Sequence, residues 1–200
     1  MSDITIERRE RVTLVRFDRG DGVNGLSHAL IKELTDVARS FERVFVVNAL
    51  HHFDDGAAFV TEAYRVLRPG GELMIFGLGL GPGQRREDWY VYEYFERTLE
   101  LDRARYPAPA TICAWMGAAG FDDCASRVGH RIDQTAMAQA YLNSGALTRE
   151  STSQLTLLSP EEFEAGLQRL RDAISAAKNR GESLQLRADL KIYATSGRRR

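Results

Sequence analysis

Three groups of residues in this 200-residue chain have the types and spacing for chemistry. His51 and His52 follow the apolar run Val44-Phe45-Val46-Val47, where a buried strand should end. An imidazole titrates near neutrality, which suits a general base or a group that orients a nucleophile, and His52 is the candidate. The same pair could instead cap the next helix or fill a cleft wall. Gly20-Asp21-Gly22-Val23-Asn24-Gly25 fits G-x-G-x-x-G between an expected strand and an expected helix. Glycines at that spacing let a ligand approach the backbone closely, although they also serve ordinary turn geometry. Trp89, Tyr90, Tyr92 and Tyr94 gather aromatic rings in one short stretch. Such rings can wall a flat or apolar ligand or attract a cation, or they can simply pack a helix.

Composition narrows the partners. The net charge is -1 with 28% charged residues, so no global basic field draws nucleic acid or an anionic membrane. Cys113 and Cys124 match no zinc or redox spacing and are expected as reduced thiols. The opening residues lack the apolar stretch of a signal peptide, and no window is long and apolar enough to span a bilayer. The expectation is a soluble, cytoplasmic protein with no metal site. Arg198-Arg199-Arg200 reads as a solvated tail.

Elements must position these groups. Ile4–Glu7 and Val12–Phe17 alternate like half-buried strands and predict a hairpin. Leu30, Leu34, Val37, Ala38 and Phe41 share a helical face behind Ser27. Val44–Val47 predicts a strand buried on both faces. Asp54-Asp55 starts a helix, Arg68-Pro69-Gly70-Gly71 stops it, and Leu73–Phe76 is the next strand. Strand, helix and strand make a parallel crossover unit. Helices are expected over 89–95, 111–119 and from Ser159 to Gly181, with strands over 126–132 and 184–194.

The run Val46-Val47-Asn48-Ala49-Leu50-His51-His52-Phe53-Asp54-Asp55, with Glu62-Ala63-Tyr64-Arg65-Val66-Leu67-Arg68-Pro69-Gly70-Gly71, resembles the fourth strand, following helix and turn of class I S-adenosylmethionine-dependent methyltransferases. Ala118-Ala119-Gly120-Phe121 and the late strand near Tyr193-Ala194-Thr195 are similar to that family too. Residues 1–42 tell another story: Ile4-Thr5-Ile6, Val12–Arg19 and Asn24-Gly25-Leu26-Ser27 resemble the opening of the crotonase (enoyl-CoA hydratase/isomerase) family. The parts that supply that family's oxyanion hole and acid/base carboxylates have no counterpart here. The chain thus reads as a chimera joined near Phe41-Glu42-Arg43-Val44, with residues 43–200 methyltransferase-like, the whole forming one compact domain.

The resemblance implies an α/β fold: a truncated Rossmann-like methyltransferase sheet, mostly parallel with an antiparallel end and helices on both faces. It implies S-adenosyl-L-methionine as cofactor, held by Asn48 and Ala49. Asp18, Gly20 and Gly22 would follow the family's acidic-x-G-x-G pattern, with Val12–Phe17 serving as a first strand beside Val44–Val47. Asp21 would set a negative charge close to the methionine carboxylate. Trp89, Tyr90, Tyr92 and Tyr94 fall where the family shapes the pocket for a small-molecule acceptor. The second- and third-strand segments that hold ribose and adenine are absent. At about 1.5–3 kcal/mol per lost charged hydrogen bond, two losses weaken binding roughly a hundredfold or more. Weak or lost cofactor binding is therefore expected. A homodimer through the sheet edge left exposed is the expected alternative.

Overall fold

The structure is a computed structural model that describes residues 41–80, 83 and 85–200, and the backbone of 4–9 and 12–17. Strands β1 (Ile4–Arg9) and β2 (Val12–Phe17) form the expected hairpin. Their antiparallel register runs from Ile4 opposite Phe17 to Arg9 opposite Val12. They make a two-stranded sheet of their own, so β2 does not pair beside Val44–Val47 as a first strand would. The near neighbour wins because closing a short loop costs far less chain entropy than a long crossover.

The main sheet has β3 (Phe41–Val47), β4 (Leu67–Leu78), β5 (Phe121–Met137) and β6 (Gln185–Arg199) in the order β3-β4-β6-β5. Pair β3–β4 is parallel and the remainder antiparallel, in a Rossmann-like mixed α/β arrangement. Two compact units divide the described chain. The first holds the described residues up to Gly77, with Pro109–Arg127 and Ala194–Arg200; the second holds Leu78–Ala108 and Val128–Tyr193, excepting those not described.

In the first unit, helix α1 (Gly56–Val66) carries the crossover from β3 to β4. Asp55 caps it by accepting the Ala58 N–H at 2.9 Å. The helix ends ahead of Pro69, whose ring cannot continue it, and Gly70 takes a positive φ of 79° at the turn. Val46, Leu73 and Ile75 pack with Val60 and Ala63 of α1 and with Ile112 and Met116 of α4 (Pro109–Ala119). The expectation that β3 is buried on both faces fails. Phe45 and Val47 are 54% and 62% exposed, because alternate strand residues point oppositely and the cluster covers only the Val46 side. Of the arginine tail, Arg198 and Arg200 are exposed as expected, and Arg199 departs from the expectation. Arg199 lies on β6, donates to the Leu67 and Arg65 carbonyls and sits 4.9 Å over the Tyr64 ring. Arg200 pairs with Asp122.

The second unit is built on α2 (Tyr90–Tyr94), α3 (Thr98–Arg105), α5 (Ala138–Asn143) and α6 (Pro160–Asn179), with the adjoining parts of β5 and β6. Ser159 and Glu162 form a reciprocal capping box at the start of α6, where the sequence predicts a helix to begin. Leu167 and Leu170 bring its stripe onto Phe95, Leu99 and Leu155. Gly166 faces the Phe95 ring so closely that a Cβ would overlap it. Helices α3 and α5 had no forecast. No helix among the described residues is long and apolar enough to cross a membrane.

Candidate functional site

The C-terminal end of β3 is built for a sharp turn. Asn48 adopts a left-handed φ of 47°, a conformation asparagine tolerates better than most residues. Its N–H donates to the Phe76 carbonyl at 2.8 Å, which ties the turn to β4. Ala49 is half-buried and its carbonyl accepts the His52 N–H at 2.9 Å. His51 is half-buried and His52 exposed, on a single 3-10 turn with ring centroids 3.9 Å apart. Asn48, Ala49 and His52 therefore share one sheet edge. Asp18, Gly20 and Gly22 lie outside the described residues.

The aromatic stretch in the second unit divides by role. Trp89 and Tyr90 line a cavity of about 250 Å³, with Tyr141, Ile132 and Leu186 among its other walls. The Tyr90 and Tyr141 hydroxyls meet at 3.2 Å. Burial, then the contact with Tyr141, pushes the Tyr90 phenol above its ordinary pKa. Tyr92 goes elsewhere: it is fully buried and its hydroxyl donates to Asp102 at 2.8 Å. Burial and the Asp102 carboxylate together keep it a neutral phenol. Tyr94 is half-buried beside Glu93, and burial first, then that carboxylate, pushes it up to about 12.

Sequence reasoning missed a second, polar cavity of about 360 Å³, whose walls include Arg85, Asp88, Arg131, Asp189, Lys191 and Tyr193. Its signal was present. Within the expected strand 184–194, Asp189, Lys191 and Tyr193 alternate with Leu186, Ala188 and Leu190, so they belong to opposite faces. The second set lines the aromatic cavity.

The fit of S-adenosylmethionine can be tested only at the β3 edge. There the Asn48 N–H is committed to Phe76, and Asp55 is committed to capping α1. Asn48 and Ala49 supply turn geometry suited to a close ligand, but these residues alone do not make a cofactor pocket.

The family profile described as "Methyltransferase domain" matches residues 12–75, that is, β2, β3, α1 and most of β4. No curated protein matches. Among solved structures, a methyltransferase from an antibiotic biosynthesis pathway of Anabaena variabilis shares 18% identity over 79% of this chain and 67% of its own, with a TM-score of 0.51. The YcgJ protein of Bacillus subtilis shares 19% over 82% and 65%, with a TM-score of 0.44. Phosphoethanolamine N-methyltransferase 2 of Haemonchus contortus, solved with S-adenosylhomocysteine, shares 15% over 81% and 34%, with a TM-score of 0.41. The chain thus spans between about a third and two thirds of these proteins' lengths. The crotonase likeness of residues 1–42 finds no support, since the methyltransferase match already begins at Val12 and runs through the supposed junction. The profile match covers about a third of the chain, and the likeness to the Anabaena structure shows a shared fold.

Proposed function

We propose that this chain is a S-adenosylmethionine-dependent methyltransferase-like domain whose hold on the cofactor is weak or lost. The observation that carries the first half is the methyltransferase-domain match over residues 12–75, which takes in the β3 turn, α1 and β4. Chain length supports the second half. Only residues 18–40 separate β2 from β3, whereas one strand–helix–strand unit takes about 30 residues or more. Two further strands with their helices cannot fit there, and with them go the ribose and adenine contacts that the family resemblance calls for. A chimeric origin would account for such a gap.

In this reading Asn48 and Ala49 touch the cofactor, joined by Asp18, Gly20 and Gly22, and His52 is the candidate base. Trp89, Tyr90 and Tyr94 are the candidates for contact with a flat, small-molecule acceptor, while Tyr92 serves the core. Methyl transfer needs chiefly alignment of donor and acceptor. Thermal unfolding with added S-adenosylhomocysteine tests the reading. A ligand at ten times its Kd stabilises the fold by about 1.4 kcal/mol. The melting temperature should therefore stay unmoved at micromolar ligand and rise, if at all, only at millimolar ligand. A rise at micromolar ligand would overturn the impairment.

One observation favours a second reading, a non-catalytic scaffold that pairs with its own copy. Strand β3 has β4 as its one neighbour in the sheet among the described residues, and it exposes Phe45 and Val47. An apolar edge of that kind invites strand addition. A folded sample that ignores the cofactor and dimerises with concentration would favour the scaffold over the transferase.

A further inference from the structure

Cys113 and Cys124, the two cysteines of the chain, are free thiols that meet in the first unit. Cys113 lies on α4 three residues ahead of Met116, so the two are neighbours on one stripe of the helix. Cys124 comes from β5. It is three residues beyond Phe121, and regular strand alternation would place the two on opposite faces. Both nonetheless pack on the cluster that holds Met116. The chain changes faces at Asp123, whose φ of 51° is left-handed, a conformation aspartate tolerates better than most residues. Gly120, at a φ of 99°, has already turned the chain between α4 and β5. The Cys124 thiol thereby reaches Met116 and donates to its Sδ at 3.5 Å. It also hydrogen-bonds with the Cys113 thiol, and burial first, then that contact, pushes Cys124 up to about 12. Ten intervening residues fit no sequence motif, so the pairing is legible only in the fold.

We propose that Cys113 and Cys124 form a redox-active dithiol, which closes into a disulfide between α4 and β5 when the chain meets a small disulfide such as oxidised glutathione. Cys113 is the point of entry, since Cys124 is held as the neutral thiol and the thiolate is the attacking form. The Cys113 thiolate bonds to one sulfur of the oxidant, whose S–S bond breaks and releases one small thiolate. The mixed disulfide removes the Cys113 charge that opposes ionisation of Cys124. Cys124 then gives its proton to solvent, and its sulfur displaces the second small thiolate from Cys113. The protein gives up two electrons and two protons, and the oxidant takes them up as two thiols. The new bond closes a ring over the Gly120 turn and ties β5 to the helix that supplies Ile112 and Met116 to the core. It belongs to the first unit alone and stands whether or not the chain transfers methyl groups.

Equilibration of the folded, full chain against oxidised and reduced glutathione at neutral pH tests this, with free thiols trapped by alkylation and the intact mass measured. Both thiols should vanish together, the mass should fall by two hydrogens, and dithiothreitol should restore both. The fold should favour the bond about thirtyfold or more over the same chain unfolded in urea, the factor expected of a disulfide that stabilises its native state. Thiols that persist in the folded chain, at ratios where the urea-unfolded chain loses them, would overturn the proposal. So would glutathione retained on either cysteine as the stable product, a disulfide-linked dimer, or a bond no more favoured in the folded chain than in urea.

Discussion

Asp102 illustrates how a residue's role depends on what folds around it. It is wholly buried, yet its carboxylate takes the Tyr92 hydroxyl and an Arg105 guanidinium nitrogen, so its charge is matched and bonded. A buried carboxylate without such partners would be costly. Tyr92→Phe keeps the ring and removes only the hydroxyl. A hydrogen bond to a charged group contributes about 1.5–3 kcal/mol, so the variant should lose about that much stability in urea unfolding. A loss near zero would place the Asp102 charge elsewhere. Nothing in the aromatic stretch marked Tyr92 as structural and Trp89 and Tyr90 as cavity walls. That division depends on which rings α2 turns toward α3, a tertiary fact the spacing of the aromatic residues does not carry.

Elements were more legible than sites. The helix start at Ser159, the crossover β3–α1–β4 and the alternation of β1, β2 and β6 follow from local chemistry, and they formed as the sequence implied. The exposed face of β3 did not, because a short apolar run looks the same whether one or both faces are covered. The first-strand role of Val12–Phe17 failed for a related reason: alternation identifies a strand but not its partner. Two cavities arise on opposite faces of β6, and only the polar residues' period hinted at the second. The capping box supports a prediction at this scale. Ser159→Ala removes the acceptor for the Glu162 N–H, which lies at 3.2 Å. The substitution should cost about 0.5–2 kcal/mol of stability, read as a lower urea midpoint with an unchanged slope.

For the whole molecule, acid should unfold the chain from a definite direction. Asp122, Glu161, Glu162 and Asp189 are all held below their ordinary values of 3.8 and 4.5, by Arg200, by Ser159, by the Ser159 backbone with Arg97, and by Arg131 respectively. A carboxyl whose folded pKa is depressed adds stability above its unfolded pKa and loses it as pH falls through the folded one. The melting temperature should therefore drop as pH falls from about 5 toward 3, with little change between 5 and 7. A flat profile would mean these pairs contribute nothing. The Glu93 carboxyl, raised by burial, works in the opposite sense and at higher pH: its contribution is present below its ordinary 4.5 and lost as pH rises through its folded value.

On the proposed function, this methyltransferase-like chain has no room for two of the strands that would hold the cofactor. Calorimetric titration of the folded protein with S-adenosylhomocysteine tests that most directly. The proposed function predicts no saturation below the millimolar range. A micromolar Kd would contradict it, and would mean that the residues at the β3 edge and in the glycine loop hold the cofactor without the missing strands.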